Sequence, residues 1–86
     1  MNMSDQTVQH VDIDRIKQVL HDIGGLKQVD ADEDFYDAGF SSIGSLQLLL
    51  ELESAWSVNI PDDEFILART PRALHTLLVR LSEVGR

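Results

Sequence analysis

Apolar residues recur at three- and four-residue intervals in three separate stretches of this chain, and nowhere do they alternate with polar ones. That spacing places them on one side of a helix and leaves no strand to build a sheet from. Leu74, Leu77, Leu78 and Leu81 form the clearest set. Thr70-Pro71 ahead of them is an N-cap followed by proline at the first helical position, so a helix is expected from there to about Glu83, ending near Gly85. Ile13, Ile16, Leu20 and Ile23 form a second set, capped by Asp12 or Asp14 and stopped by Gly24-Gly25. A third helix begins at Ser42, as its N-cap or first residue, and closes at Trp56. It carries Ile43, Leu46, Leu49 and Leu50, with Leu48 and Leu52 widening its apolar surface beyond one stripe. Such a helix is either central to its bundle or presents an apolar patch to a partner. After Val58-Asn59-Ile60-Pro61, a short helix is expected, with Asp62, Asp63 and Glu64 at its positive end and Phe65, Ile66 and Leu67 packing inward.

The chain has 86 residues and no cysteine. One small core is all it can bury, and a disulfide scaffold, a thiolate metal site and a cysteine nucleophile are excluded. Residues 1–11 are polar and aperiodic, a frayed tail by this reading, with the domain proper at 12–86. From Gly25 to Ser41 no period survives, yet Leu26, Val29, Phe35, Tyr36 and Phe40 offer enough anchors to order the loop. The expected fold is all-α: a four-helix bundle with three long helices, one short helix and a long first loop.

Fifteen acids against seven bases give a net charge of −8. Between Gln28 and Ala68 there is no Lys or Arg, whereas Asp30, Asp32, Glu33, Asp34, Asp37, Glu51, Glu53, Asp62, Asp63 and Glu64 all fall there. This balance argues against nucleic acid and anionic membrane as partners and toward basic protein surfaces. No export signal or membrane-length apolar run is visible, so the expected compartment is the cytoplasm.

Intrinsic catalysis finds no support. Asp30-Ala31-Asp32-Glu33-Asp34 opens like a calcium loop, but the required glycine and closing glutamate are replaced by Phe35 and Ser41. His10, His21 and His75 have no serine or carboxylate at a spacing that argues for a triad, and no glycine loop is built to cradle phosphate. What remains is the segment from Asp34 to Leu46. Gly39 permits a sharp turn, and Ser42 then opens a helix with its hydroxyl outward, where a phosphodiester is tolerated by the helix dipole.

Asp34-Phe35, then Asp37-Ala38-Gly39-Phe40-Ser41-Ser42-Ile43, continuing through Leu46, Leu49, Leu50, Leu52, Glu53, Trp56, Ile60-Pro61-Asp62 and Thr70, resembles the phosphopantetheine-dependent acyl and peptidyl carrier proteins. The resemblance covers about residues 12 to 82. It implies that Ser42 is the attachment point of a covalent 4′-phosphopantetheine arm derived from coenzyme A, and that the chain is a substrate of other enzymes. It further implies docking through Phe40, Ser41, Ile43, Leu46, Gln47, Leu50 and Glu53. The implied partners are a phosphopantetheinyl transferase, an adenylating amino-acid or acyl ligase and a downstream acyl-accepting enzyme, met by a monomer. Ser41 replaces the family's usual aspartate or histidine, Gln47 stands where the fatty-acid type has glutamate, and Phe40 and Trp56 are bulkier than in that type. These departures weigh against a long-chain lipid carrier, and a short stand-alone chain with Phe40-Ser41-Ser42-Ile43 looks like the discrete aminoacyl carriers loaded by adenylating ligases. A fatty-acyl or polyketide carrier is the alternative, and a non-covalent acidic helical interaction module is the alternative of another class.

Overall fold

The structure, a computed structural model, describes residues 11–84. The proposed tail at 1–11 lies, but for Val11, outside the described residues, as do His10 and Gly85. Helix α1 spans Ile13–Gly24, a 3₁₀ turn spans Ser42–Gly44, and α2 (Ser45–Trp56), α3 (Asp62–Leu67) and α4 (Pro71–Val84) follow. The described residues hold no strand, and the expected all-α bundle with one short helix is the fold observed. No described helix is long and apolar enough to cross a membrane.

Local signals set the ends of the helices. Asp12 accepts the N–H of Asp14 at 2.9 Å, and Thr70 Oγ1 accepts that of Ala73 at 3.0 Å, each satisfying an orphan donor of a first turn. Gly25 terminates α1 at φ 74°, a left-handed conformation that glycine adopts without strain. Helix α1 packs on both α2 and α4, burying Ile16, Val19 and Leu20 against Leu48, Leu52, Trp56, Leu74, Leu77 and Leu78. Arg15 lays its guanidinium over the Trp56 ring at 5.2 Å.

Helix α3 departs from expectation. Only Phe65 and the following Ala68 are buried, while Ile66 and Leu67 are 65% and 80% exposed. A helix of six residues makes under two turns, so just one row can face the core.

The loop from Gly25 to Ser41 is ordered, as its anchors imply. Leu26, Val29, Phe35 and Phe40 are buried, and Phe35, Tyr36 and Phe40 meet edge-on or tilted with centroids 4.7–5.8 Å apart. Its backbone is tied to the start of α4: Phe35 N–H donates to Arg69 O and Arg72 N–H to Ala31 O, each at 2.9 Å. The side chains repeat the connection. Arg69 Nε donates to Asp34 at 2.6 Å, and Arg72 Nε to Asp32 at 2.7 Å. The stretch that resembled a calcium loop therefore spends these two carboxylates on arginines.

Candidate functional site

Ser42 sits where three local features converge. Gly39, at φ 120°, turns the chain in a way a side chain resists. Phe40 then plugs into the core at 2% exposure, and Ser41 adopts an extended conformation with its hydroxyl accepting the Ile43 N–H at 3.1 Å. Ser42 follows as the first residue of the 3₁₀ turn, exposed, its Oγ making no hydrogen bond to any described residue. Its carbonyl is held by both the N–H and the hydroxyl of Ser45, the latter at 2.7 Å. The helix expected from Ser42 opens instead as this 3₁₀ turn, capped by Ser41, and α2 itself starts at Ser45, so Ser42 is neither the N-cap nor the first residue of α2. A hydroxyl that caps nothing is free to carry a substituent without costing the turn a hydrogen bond.

Ser42 also lines an open cleft of about 330 Å³ with Tyr36, Ser45, Phe65, Ile66 and Arg69. The Arg69 guanidinium lies 4.7 Å over the Tyr36 ring, and its pairing with Asp34 through Nε leaves the terminal nitrogens without a hydrogen bond among the described residues. That pairing holds the Asp34 carboxyl below its ordinary range, and burial raises the Tyr36 phenol. The cleft thus sets a cation at Arg69, hydroxyls at Ser45 and Tyr36, and apolar surface at Phe65 and Ile66 beside Ser42.

The residues expected to dock partners divide. Ile43, Leu46 and Leu50 are 90%, 63% and 57% exposed, and Gln47 and Ser41 are exposed beside them. Of the two possibilities for the widely apolar α2, the outward patch is realised, because Leu48, Leu52 and Trp56 form the inward row. Phe40 must be removed from the exposed set, since its ring is core and supports the surface from below. Glu53 is also committed elsewhere: Oε2 accepts the Ile60 N–H at 2.8 Å, bracing the connection to α3. Sequence reasoning missed Glu51, outward on α2 one turn from Gln47, and Ile66, which extends the apolar patch across the cleft.

The charge picture also changes. Arg69, Arg72 and Arg80 fold back onto Asp34, Asp32 and Glu64, so three acids of the base-free stretch are neutralised by cations from α4 and its approach.

D-alanyl carrier protein from Streptococcus pyogenes serotype M1 is 46% identical over 35 residues, 40% of this chain and 44% of that protein. The same protein from serotype M18 matches equally. A 3-methylorcinaldehyde synthase from Phoma sp is 33% identical over 73 residues, 83% of this chain but 3% of the synthase. The chain thus spans less than half the length of these relatives. A family model described as "Phosphopantetheine attachment site" matches residues 14–78, from the first turn of α1 through the turn at Ser42, α2 and α3 and into α4, and the chain accordingly belongs to this family of carrier proteins, whose cofactor is covalently bound 4′-phosphopantetheine.

Proposed function

We propose that this chain holds an aminoacyl group as a thioester on an arm attached to Ser42 and presents it to partner enzymes. Carrier proteins of this family are substrates for other enzymes rather than catalysts. The observation that carries the assignment to Ser42 is its exposed, unpartnered hydroxyl at the rim of a cleft beside an outward apolar patch. In loading, Ser42 Oγ bonds to the phosphorus of coenzyme A's pantetheine half. The pyrophosphate bond breaks, the nucleotide half leaves, and the hydroxyl proton passes to the transferase. The bound arm supplies a terminal thiol, the sole thiol of a chain without cysteine.

Ser41 fixes the turn, Ser45 holds the Ser42 carbonyl, and Ile43, Leu46, Gln47 and Leu50 offer the surface on which a phosphopantetheinyl transferase, an adenylating ligase and an acyl-accepting enzyme dock in turn. Two observations favour aminoacyl cargo. The interior is filled by Phe35, Phe40 and Trp56, each 2% exposed or less, and the local identity is to a D-alanyl carrier. A polyketide or other acyl carrier is the second reading, favoured by the match to the synthase over most of the chain.

Intact mass after incubation with coenzyme A and a phosphopantetheinyl transferase, with peptide mapping of the product, tests the site. Gain of one phosphopantetheinyl group on Ser42 is expected; no gain leaves a non-covalent interaction module. Mass spectrometry of the thioester on holo protein recovered from cells then separates aminoacyl from acyl cargo.

A further inference from the structure

Gly24 is the last residue of α1, in ordinary helical conformation, so the backbone does not demand a glycine there. The space around it does. A Cβ built on Gly24 would fall 2.2 Å from Cδ1 and 2.5 Å from Cε1 of Phe40, a ring that is itself core. The far side of the same ring faces the turn that carries Ser42: a Cβ on Gly44 would lie 3.5 Å from Phe40 Cζ and 3.8 Å from Ile23 Cγ2. Phe35 and Tyr36 meet the ring edge-on at 5.6 and 5.8 Å, and the Phe40 N–H is held by Phe35 O at 2.9 Å. The ring has nowhere to retreat, because close-packed interiors transmit displacement rather than absorb it.

We propose that Gly24 is a positioning residue for Ser42. Its missing side chain lets the Phe40 ring seat against the end of α1, and that seat sets where the chain, two residues later, enters the Ser42–Gly44 turn. The inference rests on Ser42 being the attachment residue, and it adds that an atom-sized space on a different helix determines how that hydroxyl is offered to the transferase. Gly25 supplies the internal control. Its φ of 74° makes any side chain strained, but a Cβ there meets nothing within 4 Å, so Gly25→Ala disturbs stability without touching Phe40.

The test uses the full chain, coenzyme A and a phosphopantetheinyl transferase, with amide NMR shifts as a readout independent of loading. Gly24→Ala is expected to fold, to move the Ser42, Ile43 and Gly44 amide resonances, and to lower kcat roughly tenfold to a hundredfold with KM for the carrier little changed, since the α2 surface is intact. Gly25→Ala is expected to lower Tm while keeping kcat and those amide positions. Phe40→Leu in the Gly24→Ala background, which shortens the clashing group, is expected to restore part of the lost kcat. Should Gly24→Ala not fold, Phe40→Leu alone empties the seat without a clash and is expected to shift the same three amides. Wild-type kcat and unmoved amides in Gly24→Ala, or a kcat loss in Gly25→Ala equal to that in Gly24→Ala, overturn the proposal. A wild-type chain that takes no arm at all defeats the Ser42 assignment instead, and the amide shifts still report the seat.

Discussion

Ser41 Oγ accepts the backbone N–H of Ile43 at 3.1 Å, so the hydroxyl that stabilises the turn belongs to the neighbour of the hydroxyl proposed to take the arm. The two serines therefore separate in experiment. Ser42→Ala is expected to change the unfolding free energy by no more than a surface substitution does, about 0.5 kcal/mol, while abolishing modification. Ser41→Ala is expected to cost about 1 kcal/mol for the lost cap and still be modified. Modification surviving in Ser42→Ala, scored by intact mass, removes the site assignment.

Docking on α2 is expected to be apolar first and electrostatic second. Leu50 is exposed with no packing role in the core, so Leu50→Ala should leave Tm unchanged and lower kcat/KM for transferase loading about tenfold, the effect of one anchoring contact. Glu51→Lys should slow loading less, and above ~0.5 M salt, where the Debye length falls below about 5 Å, its effect should vanish. A larger loss from Glu51→Lys than from Leu50→Ala would place electrostatics first.

The Asp34–Arg69 and Asp32–Arg72 pairs give stability a defined pH dependence. Hydrogen bonds from the arginines hold both carboxyls below their ordinary values in the folded chain. A carboxyl lowered on folding contributes stability that is fully present above its unfolded value, about 3.9, and is lost as pH falls through the folded value. Both aspartates are solvent-accessible and screened, so the effect is modest. Acidifying from pH 6 toward pH 3 should therefore lower Tm more in wild type than in Arg69→Gln/Arg72→Gln, in thermal melts at fixed ionic strength. Parallel Tm curves would show that the pairs contribute nothing.

Much of this architecture is legible from local signals alone. Asp12, Thr70 and Gly25 act where they stand, and the rows Ile16–Leu20 and Leu74–Leu78 need only a helical period. What escaped depends on geometry beyond a few residues. The helical period puts a start at Ser42, whereas the cap belongs to Ser41 because the backbone after Gly39 enters a 3₁₀ turn first. Six residues in α3 are too few for a period to tell Phe65 from Ile66 and Leu67. Glu53 reaches an N–H seven positions on, across the left-handed Ser57, so its outward charge pattern conceals a structural bond. Arg69 finds Asp34 only because the long loop folds back onto the approach to α4.

Phe35 holds that loop. It is fully buried, touches two aromatic neighbours, and its N–H is fixed by Arg69 O. Ordering a loop of this length carries a conformational cost that only buried anchors offset. Phe35→Ala is expected to destabilise the domain by about 3 kcal/mol or more, a large share of the stability of a domain this size. An unchanged denaturant midpoint would mean that the loop is held by other contacts.

The choice of cargo turns on Trp56 and Phe40. Both are 2% exposed and belong to one core cluster with Leu48, Leu52 and Phe65; Phe40 lies two residues before Ser42, and Trp56 closes α2. A long acyl chain entering between the helices would have to displace these rings, and tightly packed cores yield only with strain. An aminoacyl group has no reason to enter, because its ammonium would lose hydration without gaining a partner. Holo protein carrying a long saturated acyl chain is therefore expected to melt within a degree or two of the acetyl form, as is the aminoacyl form. In a core with room for the chain, each buried methylene would add roughly 0.8 kcal/mol, so enclosure of even a few would raise Tm unmistakably. Such a rise would show that Trp56 and Phe40 move aside, and the fatty-acyl reading would then replace the aminoacyl one.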